Sequence, residues 1–206
     1  MTVQAGLKRT RLSPEARRSQ ILDEVARLVI DQGISAVSME AVGRLCEISK
    51  ALVYNYFPSR DQLLTALLQR EQDELRDRGM RTALQATSFP ELIRQTTRVY
   101  LEHTRARGAL IQALLSDPSV ARLMEEENRI DRDRTIAYFV REGRRAYDLP
   151  LPIASAAVDM LMAVTDQAGK KCASGTMDID TAEEMCVLLI TGGMQRLSER
   201  FQGGAP

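Results

Sequence analysis

Hydrophobic positions along this chain recur every three or four residues, which is the spacing of one face of an α-helix. The first such stretch, with apolar residues at positions 21, 22, 25, 26, 28 and 29, follows the helix-start sequence Ser13-Pro14-Glu15 and stops at Gly33. No segment sustains the alternation of apolar and polar residues that marks a β-strand. The pattern therefore predicts an all-α protein.

Further start and stop signals extend this prediction over most of the chain. They place helices over about 38–45, 49–57, 59–83, 88–107, 109–115, 118–147, 153–172 and 180–200. Gly108 is expected to interrupt the long pattern that starts at Ser88 and to leave a short apolar helix after it.

The helices fall into two groups, which predict two domains. Residues 1–12 form a basic arm, 13–58 hold three short helices, and 59–202 hold the longer ones. Pro58 is followed at once by the next helix start rather than by a flexible linker. A movement in the second domain is therefore expected to be passed rigidly to the first.

Charge is distributed unevenly on a molecule whose net charge is zero. The chain has 28 basic and 28 acidic residues, but residues 1–60 hold 9 basic against 6 acidic ones. The excess begins with Lys8, Arg9 and Arg11. Such an arm is typical of a protein that touches a polyanion with one end, although a solvated, disordered N-terminus explains it equally well.

The three cysteines, Cys46, Cys172 and Cys186, are scattered and form neither a CxxC pair nor a ligand cluster. They indicate a reduced, cytoplasmic compartment and no metal or other cofactor. No apolar run approaches the roughly 18–20 residues of a membrane span, and the basic N-terminus lacks the apolar core of a secretory signal. The sequence predicts a soluble protein without a membrane partner.

Residues 38–57, SMEAVGRLCEISKALVYNYF, have the spacing of a helix-turn-helix. Gly43 is the small residue where the two helices cross, and Glu47 occupies the turn. The sealing positions are expected at Val42, Leu45, Ile48 and Val53. Because the turn position tends to need a positive φ, Glu47 there is expected to cost on the order of 1 kcal/mol.

The second helix of this motif has residues suited to contact DNA. Ser49 caps it, and the cap with Lys50 suits phosphate, while Asn55 can bind adenine and Leu52 can pack on a thymine methyl. Tyr54 and Tyr56 are candidates for phosphate contact. The alternative is that Tyr54, Tyr56 and Phe57 are core aromatics. This alternative is favoured for Phe57, is as well supported as DNA contact for Tyr56, and is less favoured for Tyr54.

The run SKALVYNYFPSRDQLL, from Ser49 to Leu64, resembles the signature of the tetracycline-repressor (TetR) family of bacterial regulators. The Tyr-x-Tyr-Phe-Pro-Ser-basic sequence carries the resemblance, which covers about residues 14–64. It implies that the helix from Ser49 enters the major groove and that Tyr54, Arg60 and Ser38 contact backbone phosphates.

This chain departs from the family pattern at three base-facing positions. Ala51 and Leu52 stand where Gly and a Thr-like residue are frequent, and Asn55 replaces a common His. The resemblance therefore implies a palindromic double-stranded operator but not its sequence.

By the same resemblance the second domain binds a small-molecule effector and forms a homodimer through the last two helices. Small and apolar residues in these helices favour close helix pairing, and the interface is expected at Ala157, Leu161, Val164, Leu189, Gly193 and Leu197. An ordinary monomer core is the alternative. The effector, mostly apolar, is expected to contact Tyr100, His103, Thr104, Leu114, Tyr138 and Val164.

The sequence as a whole favours a ligand-released, sequence-specific repressor. One alternative, a nucleic-acid architectural protein without sequence preference, is disfavoured by the zero net charge. The other, an all-helical enzyme, lacks a recognisable nucleophile–base pair or metal cluster, and the chain has a single histidine.

Overall fold

A computed structural model describes residues 12–201, which form eight α-helices and contain no β-strand. The helices are α1 (Pro14–Gln32), α2 (Met39–Leu45), α3 (Lys50–Tyr56), α4 (Arg60–Ala83), α5 (Phe89–Leu115), α6 (Pro118–Tyr147), α7 (Leu151–Ala173) and α8 (Ile179–Phe201). The predicted all-α class is confirmed.

Serine side chains begin several of these helices, as the sequence predicts. The hydroxyl oxygen of Ser13 accepts a hydrogen bond from the Ala16 amide at 3.2 Å, and that of Ser88 accepts one from the Glu91 amide at 3.3 Å. Each bond satisfies an amide that the first helical turn leaves without a partner. These local bonds explain why the predicted helix starts agree closely with the observed ones.

The predicted interruption at Gly108 is wrong, because α5 continues through this residue to Leu115. A mid-helix glycine costs about 1 kcal/mol relative to alanine. Helix α5 packs along both α7 and α8, and burial of its apolar face outweighs that local cost. The structure also adds a single 3-10 turn, Ile34–Ala36, which the sequence pattern does not reveal.

The helices divide into two compact units, and the division falls between Leu67 and Leu68. The described part of the first unit contains α1, the 3-10 turn, α2, α3 and the first turns of α4. Its interior is apolar, with fully buried side chains from each helix, among them Ile21, Val25, Val42, Val53, Leu63 and Leu64.

The second unit contains the rest of α4 and helices α5 to α8. Helix α5 lies against both α7 and α8, and α7 also contacts α6 and α8. The core where these helices meet includes Leu92, Leu101, Ala154, Ala182, Ile190 and Met194. Polar bonds link α4 to α6 across this unit, as between the Gln72 amide and the Asn128 side-chain oxygen at 2.8 Å.

Within residues 12–201, no helix taken alone has both the length and the apolar character of a membrane span. Helices α6 and α7 meet that criterion only together, across a bend of 120°.

Candidate nucleic-acid interface

The corner between α2 and α3 has the geometry that the sequence predicts. A Cβ added to Gly43 would lie 3.0 Å from the carbonyl oxygen of Ile48, so a larger side chain would push the helices apart. The Ile48 amide donates to the Gly43 carbonyl at 2.9 Å, which closes the turn. Glu47 has a φ of 52°, so the predicted left-handed conformation at the turn is confirmed.

The seal beneath this corner differs from the prediction at one position. Val42 and Val53 are fully buried and Ile48 is half-buried, as expected. Leu45 is 42% exposed, so its predicted sealing role is wrong, and Cys46 is buried instead. Because α2 ends at Leu45, the next residue, Cys46, points toward the interior instead. Burial raises the pKa of the Cys46 thiol to about 11, so it stays protonated and apolar at neutral pH.

Helix α3 presents a polar face to solvent. Lys50, Tyr54 and Asn55 are exposed, and Leu52 and Tyr56 are half-buried beside them. Residues 50, 51, 54 and 55 share one side because positions four apart are neighbours on a helix. Val53, the buried residue of this helix, anchors its opposite side. This arrangement orients a hydrogen-bonding surface outward on a short helix.

Phe57 belongs to the core rather than to this surface. It is 2% exposed, and the Arg18 guanidinium carbon lies 4.5 Å above the centre of its ring. The alternative role as a core aromatic is therefore confirmed for Phe57, whereas Tyr54 is 44% exposed.

Two exposed serines begin the helices of the motif. The hydroxyl oxygens of Ser38 and Ser49 accept hydrogen bonds from the amides of Ala41 and Leu52, both at 3.1 Å. Both side chains remain accessible on the surface of the first unit. The three basic arm residues predicted to contact DNA, Lys8, Arg9 and Arg11, lie outside the described residues.

Arg60 makes contacts that its predicted role at phosphate does not anticipate. Its Nε donates to the carbonyl oxygen of Val37, and one terminal nitrogen donates to that of Ile34, both at 3.0 Å. Its other terminal nitrogen lies 3.6 Å from Asp61. The side chain is only partly exposed, so much of the guanidinium faces the protein.

Four of the six predicted effector residues lie on two sides of α5, and the other two belong to α6 and α7. Tyr100 and Thr104 face α7, where a Cβ on Gly169 would lie 2.9 Å and 3.3 Å from them. The Tyr100 hydroxyl donates to Asp166 at 3.0 Å, and burial first, then this carboxylate, raises its pKa to about 12. Tyr138 and Val164 pack against the core of the second unit.

His103 and Leu114 lie on another side of α5, and both are buried. His103 is 3% exposed, and its Nε2 atom has no hydrogen-bond partner within the described part of the chain. Burial lowers the pKa of this imidazole, and the opposing charges of Glu71 and Glu74 only partly offset that effect. The structure therefore contains a neutral imidazole with unused hydrogen-bonding capacity.

The six predicted dimer residues mostly face their own chain. Ala157 belongs to the core of the second unit, and Leu161, Val164 and Leu197 pack against it. Gly193 faces Leu161, whose methyl carbon would lie 3.8 Å from an added Cβ. Leu189 is the exception among the six, because half of its side chain is exposed.

Sequence reasoning does not single out Glu71, a fully buried carboxylate on α4. Arg107 on α5 donates to both of its oxygens, at 2.6 and 2.7 Å, and Arg70 donates to one at 3.1 Å. Burial opposes ionisation, but the two arginines together hold the pKa of Glu71 below its usual value. The one available signal is its place in the apolar spacing of Leu64, Leu67, Leu68 and Leu75.

Among residues 12–201 no group of His, Cys, Asp and Glu is arranged to hold a metal ion.

Comparison with known proteins gives matches of two kinds. Residues 21–67 match the family model described as bacterial regulatory proteins, tetR family. The chain is 32% identical over 115 residues to the HTH-type transcriptional regulator BetI of Rhizobium meliloti (strain 1021), covering 55% of this chain and 56% of that protein. It is 36% identical over 87 residues to the HTH-type transcriptional repressor KstR of Mycolicibacterium smegmatis (strain ATCC 700084 / mc(2)155), covering 41% and 43%. The chain thus spans about half the length of these curated relatives.

Solved structures match over a longer part of the chain. A TetR-like transcriptional regulator from Rhodococcus sp. RHA1 superposes with a TM-score of 0.70 at 22% identity, over 89% of this chain and 98% of that one. A transcriptional regulator from Pseudomonas aeruginosa PAO1 gives a TM-score of 0.72 at 16% identity, over 95% and 98%. At such identities these likenesses show the shared fold.

Proposed function

We propose that this chain is a member of the tetR family of bacterial regulatory proteins, whose model its residues 21–67 match. We propose further that it is a sequence-specific, DNA-binding transcriptional repressor that a small ligand releases from its operator. The observation that carries the proposal is the outer face of α3. It offers an ammonium, a phenol and a carboxamide, on Lys50, Tyr54 and Asn55, from a helix anchored on its other side by Val53.

These groups have the chemistry that duplex DNA requires. An ammonium and a phenolic hydroxyl suit phosphate oxygens, and a carboxamide pairs with the major-groove edge of adenine. We propose that DNA is contacted by Ser38, Ser49, Lys50, Leu52, Tyr54, Asn55 and Tyr56, with Lys8, Arg9 and Arg11 of the arm adding phosphate contacts. Neutral overall charge favours recognition by this local surface over non-specific attraction.

Selection of duplex fragments from a random pool by the purified full chain tests this function. A sequence-specific regulator enriches one palindromic site and binds it at least about a thousandfold more tightly than random DNA. A non-specific architectural protein enriches nothing and shows little difference between the two. Failure to bind any duplex at moderate salt would contradict both functions.

We further propose that the effector is a small, mostly apolar molecule bound in the second unit. The proposed contacts are Tyr100, His103, Thr104, Leu114, Tyr138 and Val164. The buried, unpartnered Nε2 of His103 supports a role in binding a polar group of the effector, because leaving such an atom without a partner costs about 1–3 kcal/mol. Effector binding would then favour a state with lower affinity for DNA.

A matched pair of variants tests the role of His103. The test uses a compound that releases the selected duplex from the wild type. His103→Leu should raise the concentration of this compound that releases the duplex at least about tenfold, as expected for one lost hydrogen bond. Thr65→Val removes a hydroxyl oxygen that is likewise buried and has no hydrogen-bond partner among residues 12–201. It is the control and should leave that concentration unchanged. Equal responses of both variants would remove His103 from the site.

We also propose a homodimer formed by α7 and α8, through a face shifted by one position from that predicted. On α8 the exposed apolar residues Met185, Leu188 and Leu189 lie on one side with Gly192. On α7 Met160, 73% exposed, lies between exposed alanines at positions 156 and 163. An apolar face of this kind is typical of an interaction surface, and a palindromic site requires two reading helices, one from each copy, roughly 34–36 Å apart.

A further inference from the structure

We propose that Arg60 is a positioning residue for DNA recognition, holding segment 33–38 so that Ser38 and α2 keep a fixed place beside α3. The inference rests on the proposed function, and it differs from the phosphate contact that the family resemblance implies. It concerns a residue at the first position of α4 acting on a backbone segment more than twenty residues earlier in the chain.

The segment has little internal support of its own. It leaves α1 at Gly33, where φ is 83°, makes a single 3-10 turn, and passes through the extended residue Val37 to the cap at Ser38. Within this stretch the backbone hydrogen bonds are those from Ala36 to Gly33 and from Val37 to Ile34, both 3.2 Å long. The two carbonyl oxygens that Arg60 contacts lie at the start and end of that turn.

A guanidinium suits this task better than any other side chain. Its planar fork sends the Nε and a terminal N–H to two acceptors at once, and it stays charged at every relevant pH. Hydrogen bonds from a charged donor are about twice as strong as neutral ones. A lysine at the same place would keep the charge but has no rigid fork, so it could not hold both carbonyls in one geometry.

The structure also fixes Arg60 itself. Ser59 caps α4 through the Gln62 amide at 3.1 Å, so the backbone of Arg60 lies in the first ordered turn. Leu63 and Leu64 behind it are fully buried. The guanidinium therefore connects the start of α4 to the start of α2 inside the first unit.

The test compares Arg60→Lys, Arg60→Gln and the matched surface variant Lys50→Gln in binding to the fragment selected by the wild type. Affinities are measured in the full-length protein over a range of salt concentrations, after circular dichroism has shown unchanged helix content. Each phosphate contact adds about 0.9 to the slope of log affinity against log salt. The slope thus reports phosphate contact, whereas the affinity reports both roles.

For a positioning residue, Arg60→Lys and Arg60→Gln both lose affinity for the selected site, by about tenfold, with the wild-type salt slope. Lys50→Gln instead lowers the slope by about 0.9. Wild-type binding by Arg60→Lys, together with a lowered slope in Arg60→Gln, would show a phosphate contact and overturn the inference. Unchanged affinity in both Arg60 variants would also overturn it.

Amide hydrogen exchange separates this outcome from a failure of the proposed function. The Val37 and Val42 amides donate to the carbonyls of Ile34 and Ser38, and in Arg60→Lys they should exchange faster while amides of α7 do not. If the wild type selects no duplex, the proposed function fails. Unchanged exchange at Val37 and Val42 would show that Arg60 does not hold the segment, whether or not DNA binds.

Discussion

Glu47 adopts a backbone conformation that the turn requires but that a glutamate disfavours. Its φ of 52° lies in a region that costs a non-glycine residue about 1–2 kcal/mol. Glu47→Gly should therefore raise the free energy of unfolding in urea by about 1 kcal/mol. Asp148, at φ 50°, is the matched position, and Asp148→Gly should gain less because aspartate tolerates this region better. A loss of stability in Glu47→Gly would contradict this explanation.

His103 gives the chain a pH dependence that can be assigned without ambiguity, because it is the only histidine. Burial lowers its folded-state pKa below the usual value of about 6.5. The unfolded chain therefore binds the proton more readily, and stability that is complete above about pH 6.5 is lost as the pH falls toward the folded pKa.

Urea unfolding of wild type and His103→Leu between pH 5 and pH 8 measures this effect, a range around the usual pKa of about 6.5. The wild type should lose stability below pH 6.5, and His103→Leu should lose none in that window. Glu71, whose pKa is lowered, acts in a separate window, since its contribution is lost only below its usual pKa of about 4.3. An identical pH dependence of both proteins would show that His103 titrates as in the unfolded chain.

At the residue scale, the sequence predicts what depends on near neighbours and misses what depends on distant ones. Gly43, Glu47 and the serine caps act within five residues, so spacing alone identifies them. Arg60 and Glu71 bind partners 23 to 36 residues away. No feature of the neighbouring sequence indicates such a distant partner. The resemblance therefore implies only a phosphate contact for Arg60, and spacing gives Glu71 no functional role.

At the element scale, the sequence predicts where helices start. It does not predict whether α5 continues through Gly108 or which sides of α7 and α8 face the core. The caps fix where α1, α3 and α5 begin. Whether α5 survives Gly108 depends on its packing against α7 and α8, which the local pattern does not contain. Helices α7 and α8 each have apolar residues on two sides, and only the folded chain shows which side its own core uses.

Adjacent glycines on α8 test the proposed dimer face. A Cβ at Gly192 meets nothing within 4 Å in the single chain, and one at Gly193 makes ordinary contact with Leu161. Each alanine should favour the helix by about 1 kcal/mol. If a second copy packs closely on this face, Gly192→Ala weakens the dimer in sedimentation equilibrium, whereas Gly193→Ala does not. Equal effects of the two changes on dimerisation would exclude a close crossing at Gly192.

At the scale of the whole molecule, the chain combines a small unit that matches the tetR family model with a larger helical unit. The motif from Ser49 to Leu64 predicts the family because it is local and specific. The second unit was predictable only as a set of helices, since helix periodicity specifies neither an effector nor a partner.

The central claim is that the outer face of α3 reads DNA, and it is tested most directly by comparing Lys50→Ala with Lys170→Ala. Both lysines are exposed and carry the same charge, but Lys170 lies in the last turn of α7. Affinity for the selected duplex is measured by fluorescence anisotropy. We expect Lys50→Ala, and more strongly Lys50→Ala with Tyr54→Ala, to bind at least about tenfold more weakly with the fold intact, and Lys170→Ala to bind as the wild type does. Equal affinity of the Lys50 and Lys170 variants would contradict the claim.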